Sequence, residues 1–468
     1  MAQLLKQASQ LSLHTGSLAP QARATDAQSK AVHLPEILIY VFQECDKRTL
    51  ASCARVCKTW NTYSVRLLWK NINAQQAIFG PLWPNRWSTE EPPKNVTLLR
   101  GILRCIEWTE QLCINFMKPS EERSNKPQPW AVRYKTVVEF ILIAPLFHKP
   151  HFPRLTELIC NCHSPALRAL PYWLSPGLLK LELRVNQTDA LTSLILRTLH
   201  EHTPRLTSLS VCFGDDKSIS YASHDLSSML NALTQLEVFK AQPSLVFEPS
   251  MWKELASLPN LRLVETRYQF EHLRKEKFWH VGTLEDVDDP FPTLECIDGK
   301  IPNDLVPKVF GMRGIFKLRH LKIWVLDAPS ELTIQTIFQT IPAYYNQLET
   351  FSVELSAWES PRHDLTTFVF EHLKTFSLWT LKPFVIAPDA FVEFTQRHPG
   401  LLSLTLNCEW DTETGIAPGV VPRILKACPS LRLLHIYLHG SRLAIRLVDE
   451  EIQKLRAEHG LQLDVKQA

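Results

Sequence analysis

Three short clusters of cysteine and histidine are the parts of this sequence whose residue types could do chemistry. They are "CNCH" at 160–163, the pair Cys53 and Cys57, and "HKPH" at 148–151. A structural zinc site needs four such ligands, and no second pair follows "CNCH" at zinc-site spacing. Cys53 and Cys57 are one helical turn apart, which favours helix packing over a redox pair. We therefore predict packing or loop roles for all three clusters, with no metal and no cofactor.

The signatures of common enzyme classes are also missing from the sequence. It contains no GxSxG elbow, no HExxH and no kinase signature. Phosphate-cradling loops need glycine, and neither GxxxxGK[ST] nor GxGxxG occurs among the 14 glycines. A catalytic triad built from distant residues stays open as an alternative, but the prediction is a protein without catalytic residues.

Composition restricts the class of protein further. The 468 residues are 45% hydrophobic, as in a globular protein, and they exceed one ordinary core unless the chain is a repeat array. The net charge of +3 is too small to indicate a nucleic-acid partner. The sequence contains no run of about 18 apolar residues, so no membrane span is predicted. Eleven cysteines without framework spacing, and no signal peptide, predict reduced thiols in the cytoplasm or nucleus.

The segment that begins at Leu34, "LPEILIYVFQECDKRTLASCARVCKTWN", predicts short helices. Pro35 suits the first position of a helix, and Asp46 suits the N-cap of a second one. In that second helix Leu50, Cys53, Ala54 and Cys57 would share one apolar face. A third short helix would carry Val65, Leu68 and Trp69.

Three helices in about 40 residues lie near the lower limit for autonomous folding. Their apolar side chains are too many to be buried together between the three helices, so we expect an apolar patch on the outside. Such a patch marks either a partner site or a surface that docks on the rest of the chain.

The same residues resemble the F-box over about residues 32–73, through "LPEILIYVF", a mid-motif leucine, "VCKTW" and a closing Trp69. The resemblance implies binding to the Skp-type adaptor of a cullin–RING ubiquitin ligase. Many members have one more residue between Pro35 and Glu36, which affects the first turn. The residues that would form or support the adaptor interface are Leu34, Pro35, Ile37, Leu38, Val41, Leu50, Val56, Cys57 and Trp60.

The remainder of the chain repeats a pattern of amphipathic helix, proline and L-x-x-L-x-L, which predicts one helix and one strand per unit. It resembles an irregular leucine-rich repeat solenoid of the kind that follows F-boxes in fungal proteins, although the usual Asn or Cys of the repeat is mostly missing. The predicted fold is α/β, a horseshoe with parallel strands on the concave face and helices on the convex face. The first leucines of the units are Leu155, Leu178, Leu206, Leu236, Leu261, Leu294, Leu318, Leu348, Leu373, Leu401 and Leu431.

The predicted organisation is a disordered leader at 1–31, for which organelle targeting is an alternative, the F-box at 32–73, a connecting region at 74–150 and the solenoid at 151–468. Polar positions between the strand leucines share one face. They would bind a target protein, or form an ordinary solvated face. These residues are Lys180, Glu182, Arg184, Glu265, Arg267, His320, Lys322, Trp324, Trp379, His435 and Tyr437.

The hypothesis is thus a substrate receptor of a Skp–cullin–F-box ligase, which binds the adaptor, through it a cullin, and a protein substrate. The alternatives are a non-ligase F-box scaffold, an enzyme and a nucleic-acid-binding solenoid. The near-neutral charge argues against the last of these.

Overall fold

The fold is seen in a computed structural model, in which the chain forms two compact units. The first consists of Met1–Arg86 and Glu90–Leu112, and the second of Trp87–Thr89 and Cys113–Ala468. The structure describes residues 35–73, 108–115, 152–162, 170–185, 195–214, 216–266, 284, 287–355, 368–380, 384–386, 388–410, 420–438, 444–447 and 449–458. The predicted leader and most of the predicted connecting region lie outside these ranges. Within them, no helix has the length and apolarity to cross a bilayer.

The first unit contains three helices, as the sequence predicts. They are α1 (Pro35–Gln43), α2 (Lys47–Cys53) and α3 (Lys58–Lys70), followed by the short strand β1 (Asn71–Asn73). A further short strand, β2, covers Gln111–Asn115.

The second unit is a sheet of parallel strands with intervening helices, an α/β arrangement consistent with an open solenoid. Its described strands are β3 (Glu157–Cys162), β4 (Lys180–Val185), β5 (Ser208–Phe213), β6 (Val238–Ala241), β7 (Leu263–Thr266), β8 (Cys296–Pro302), β9 (His320–Leu326), β10 (Thr350–Leu355), β11 (Thr375–Thr380), β12 (Phe384–Ile386), β13 (Ser403–Trp410), β14 (Leu433–Leu438) and β15 (Ala444–Leu447). Its described helices are α4 (Leu170–Trp173), α5 (Leu199–His202), α6 (Asp216–Leu230), α7 (Pro243–Val246), α8 (Pro249–Ser257), α9 (Val306–Phe310), α10 (Glu331–Gln335), α11 (Ile341–Tyr344), α12 (Pro388–Arg397), α13 (Val420–Ala427) and α14 (Asp449–Glu458).

Strands follow one another across the sheet in chain order, as expected when each unit packs on its neighbours. All pairings from β3 to β14 are parallel, with β12 attached to β13, whereas the last strand β15 runs antiparallel to β14. The antiparallel strand is a difference from the predicted all-parallel array.

The repeating leucines set the position of every strand. All eleven predicted first leucines are buried, and in each repeat the strand begins two residues after that leucine. The backbone N–H groups of the two residues after the leucine donate to one carbonyl of the preceding unit. In β5, for example, Thr207 and Ser208 both donate to the Leu179 oxygen, at 2.9 and 3.0 Å. The predicted first leucines therefore all lie at the same position relative to the strand that follows them.

Along most strands with described side chains, these alternate between a buried face and a half-exposed face, which we call the open face of the sheet. In β10, for example, Phe351, Val353 and Leu355 are buried, while Ser352 and Glu354 are half-exposed. Apolar residues on the buried face supply the core of the unit, because each strand alone is too short to bury its own side chains.

Glycine is required at one position of the sheet. Gly299 in β8 has a backbone φ of +129°, a conformation that residues with a Cβ rarely adopt. A Cβ at Gly299 would also collide with the carbonyl oxygen and the hydroxyl of Thr266 in β7. The Thr266 hydroxyl donates to the Lys300 carbonyl oxygen at 2.7 Å, which fixes the close approach of the two strands.

Opposite charges alternate in the turns that precede strands β9 to β11. Glu349 forms ion pairs with Arg319 and, at 2.7 Å, with Lys374. The hydrogen bond from Lys374 is the main cause that lowers the pKa of the Glu349 carboxyl. These turns also line a cavity of about 670 Å³ that includes His372. Neighbouring units are thus joined by side chains as well as by backbone.

A buried histidine joins three repeats of the sheet. His398 follows α12, and its Nδ1–H donates to the Phe394 carbonyl oxygen at 2.8 Å. Its Nε2 accepts from the Phe370 backbone N–H at 3.1 Å, so the ring is neutral. The Cys428 thiol donates to the His398 carbonyl oxygen at 3.4 Å. Burial, and secondarily the charge of Arg397, lowers the pKa of His398 against the opposing hydrogen bond to Phe394.

We expect His398 to make stability depend on pH. In the unfolded chain a histidine has a pKa of about 6.5, and folding lowers it, so the unfolded state binds more protons as the pH falls. Neutral His398 therefore contributes fully to the free energy of unfolding above the unfolded pKa of about 6.5. This contribution is lost as the pH falls through the lower pKa of the folded state. His398→Gln should cost about 1–3 kcal/mol at pH 7.5, because the single amide of Gln cannot keep both hydrogen bonds of the ring, the one from the Phe370 N–H and the one to the Phe394 carbonyl oxygen.

Urea unfolding followed by circular dichroism at pH 7.5 and at pH 5 measures this effect. The midpoint of the wild type should fall on acidification by more than that of His398→Gln. The control is His372→Gln, since His372 is exposed, and its midpoints should match the wild type at both pH values. Equal acid sensitivity of the wild type and His398→Gln would contradict the assignment.

Candidate functional site

The three helices of the first unit share a small core, which fixes the outward direction of the remaining side chains. Four buried residues form its centre, and the Phe42 and Trp60 rings meet edge to face with 5.3 Å between centroids. Leu38 and Leu50, both predicted to form or support the adaptor interface, belong to this core. The buried residues of the core are Leu38, Phe42, Leu50 and Cys53.

The helix caps are made by side chains. Asp46 is the N-cap of α2, as predicted, and its carboxylate accepts from the Thr49 N–H at 2.7 Å. That hydrogen bonding lowers the pKa of Asp46. Cys57 caps α3, and its Sγ accepts from the Trp60 backbone N–H at 3.5 Å.

The prediction that Cys57 lies on one face with Cys53 in the second helix is wrong. Helix α2 ends at Cys53, and Cys57 has an extended backbone with φ of −157°. The intervening turn is held by Asn61, whose side-chain N–H donates to the Ala54 carbonyl oxygen at 2.7 Å. A capping role for a thiol is hard to predict, because cysteine is also a good core residue. This turn leaves Val56 exposed.

Several large apolar side chains of α1 and the turn are exposed to solvent. The exposed fractions are 44% for Ile37, 71% for Tyr40, 38% for Val41 and 62% for Val56. Ile37, Tyr40 and Val41 follow the i, i+3, i+4 spacing of one helical face, opposite the buried Leu38 and Phe42. We call these four residues the apolar patch; the sequence predicted such a patch, and it is present.

The other predicted adaptor-binding residues have mixed environments. Pro35 is exposed, Cys57 and Trp60 are half-buried, and Leu34 lies outside the described residues. Tyr40 is not among the predicted adaptor-binding residues, although its spacing from Ile37 places it on the same helical face. An exposed tyrosine within an apolar patch is typical of binding surfaces.

Most residues predicted to bind a target lie on the open face of the sheet. They are half-exposed or exposed at alternating strand positions, namely Lys180, Glu182, Arg184, Glu265, His320, Lys322, Trp324, Trp379 and His435. Arg267 lies outside the described residues, and Tyr437 lies in β14 without a described side chain. A cavity of about 390 Å³ on β3 to β7 has Lys180 and Glu182 in its lining.

Charges on the open face pair with each other. The Arg184 Nε donates to Glu182 at 2.6 Å, and Lys322 lies 3.7 Å from Asp298. The Lys240 ammonium is 2.5 Å from the Glu265 carboxylate. Lys240 and Asp298 are not among the predicted residues, because their partners lie on neighbouring strands and the sequence pattern of a single strand does not show such pairs. Each of these pairs brings opposite charges together on the open face.

Four cysteines of the described residues are buried, namely Cys53, Cys160, Cys212 and Cys428. Cys160 of "CNCH" is fully buried in β3, which confirms the packing interpretation for that residue, and His163 lies outside the described ranges. Burial raises the pKa of Cys212 to about 11 and that of Cys428 to about 12, which keeps both as thiols. Among the described residues, no group of three or more His, Cys, Asp or Glu could hold a metal ion.

Comparison with known proteins identifies the first unit's helices. Residues 34–75 match the F-box-like family model, a range that contains α1 to α3 and the whole apolar patch. The chain therefore contains an F-box-like domain, which suggests a role in adaptor binding for substrate recognition by a ubiquitin ligase. No curated protein matches the chain.

Proposed function

We propose that this protein is a substrate receptor of a Skp–cullin–F-box ubiquitin ligase. The F-box-like domain binds the Skp-type adaptor, and the adaptor connects the chain to a cullin. A leucine-rich repeat solenoid, built from the strands β3 to β14, holds a target protein on its open face. The observation that carries the proposal is the apolar patch within the matched domain, because exposed patches of this kind mark partner sites.

The proposed mechanism is proximity. The receptor holds its target near the ubiquitin carrier and so raises the effective concentration of the reacting groups. No residue of this chain takes part in the chemistry. Cullin ligases act in the cytoplasm and nucleus, and we propose those compartments for this protein.

Affinity purification of the tagged full chain, with and without proteasome inhibition, tests the proposal. Adaptor and cullin should be recovered together, and target proteins should accumulate on the receptor when the proteasome is inhibited. The double substitution Leu34→Ala and Pro35→Ala should remove both adaptor and cullin. Recovery of the adaptor without cullin would favour a non-ligase scaffold, and recovery of neither would contradict adaptor binding itself.

A further inference from the structure

Two tryptophans and a glutamate form a row on the open face. Trp324 of β9, Glu354 of β10 and Trp379 of β11 occupy paired register positions of adjacent strands. All three lie at half-exposed or exposed positions of the alternation, and Trp324 is 37% exposed. Because neighbouring strands are about 4.8 Å apart, the two tryptophans stand about 10 Å apart, with the carboxylate between them. We call these residues the tryptophan–glutamate row.

The Glu354 carboxylate differs from the other carboxylates of the sheet described above. Glu265 and Asp298 have a lysine within 4.0 Å, and Glu182 has Arg184. Among the described residues, no side chain donates a hydrogen bond to Glu354 and none forms an ion pair with it. Burial raises the pKa of Glu354, and the more distant charge of Lys300 opposes that shift. A partly desolvated carboxylate of this kind is stabilised by a cation that comes from outside.

The rings of the row can also stabilise a cation. The Lys300 ammonium of β8 lies 4.0 Å from the centroid of the Trp324 ring, a cation–π contact within the same face. Lys300 stays at this ring instead of forming an ion pair with Glu354, which is two strands away from it. The Lys300 ammonium therefore repels a second cation and weakens its binding, but it does not occupy the position at Glu354 that this cation would take.

We propose that the tryptophan–glutamate row is a receptor site for an arginine side chain of the target protein. A guanidinium can form two parallel hydrogen bonds with a carboxylate while its plane stacks on indole rings. An acidic or apolar side chain would instead bury Glu354 without a partner, which is unfavourable. The inference rests on the proposed function, in which the open face holds the target.

The test uses the full chain with 5-fluorotryptophan and follows the fluorine NMR signals of Trp324 and Trp379, assigned with Trp324→Phe and Trp379→Phe. The probe is N-acetyl-arginine methylamide, and the citrulline analogue is its uncharged match. The arginine probe should shift both signals with at least about tenfold higher affinity than the citrulline probe.

Two variants separate the roles of the charges. Glu354→Gln should weaken arginine binding about tenfold, down to the level of citrulline. Lys300→Met should strengthen it about threefold, because a competing positive charge is removed. The matched control Glu393→Gln changes a carboxylate of helix α12 that already has an arginine partner, Arg397 at 2.6 Å, and it should leave arginine binding unchanged.

Several results would overturn the inference. They are the absence of any shift up to the solubility limit of the arginine probe, equal binding of arginine and citrulline, and arginine binding that Glu354→Gln leaves intact. Tighter binding of N-acetyl-glutamate methylamide would also overturn it. Adaptor recovery is measured on the same variants and should not change. A failure of adaptor binding with intact arginine binding would therefore affect the proposed function alone.

Discussion

Ile37→Asp together with Val56→Asp is expected to abolish binding of the Skp-type adaptor while the protein stays folded. Both side chains are exposed members of the apolar patch, and neither belongs to the buried core of α1 to α3. A carboxylate buried at an interface without a partner costs several kcal/mol. Since about 1.4 kcal/mol corresponds to a tenfold change, we expect a loss of about 1000-fold or more.

Isothermal titration with purified adaptor measures this loss, and circular dichroism verifies the fold of the variant. The matched control is Leu332→Asp, which places the same charge at a 58% exposed leucine of α10, outside the F-box-like domain. That variant should bind the adaptor as the wild type does. A folded double variant with near-native affinity would show that the apolar patch is not the adaptor surface.

Gly299→Ala is expected to destabilise the second unit by about 3 kcal/mol or more. The positive φ strains a residue that has a Cβ, at a cost of about 1–3 kcal/mol. The collision with the Thr266 carbonyl oxygen adds to this cost, because the backbone of β7 cannot move away without losing its pairing with β8.

Urea unfolding followed by tryptophan fluorescence measures the destabilisation. Gly400→Ala is the matched control, since a Cβ there would have no atom within 4 Å and φ lies outside the strained range. Gly400→Ala should be neutral or stabilise by up to about 1 kcal/mol, through the entropy of the unfolded chain. Similar stabilities of the two alanine variants would show that the close approach of β7 and β8 is not rigid.

The sequence predicted the secondary structure of the second unit well, because the repeat carries its own register. A buried leucine followed by alternating apolar residues defines a strand without reference to distant residues. It also predicted three helices and an exposed apolar patch in the first unit, since too few residues are available to cover those side chains. It was wrong about Cys57, because a helix end depends on local hydrogen bonds that compete closely in energy.

By itself, the sequence determined the family resemblance of the first helices, the strand positions and the face on which each strand residue lies. These features depend on spacing along the chain, which is a local property. Only the tertiary structure decided which charges pair across strands, that Lys300 lies over Trp324, and that Glu354 has no ion-pair partner within the described part of the chain. Such choices depend on side chains that meet from different units, where the distance between neighbours is set by the packing of the sheet and not by the order of residues.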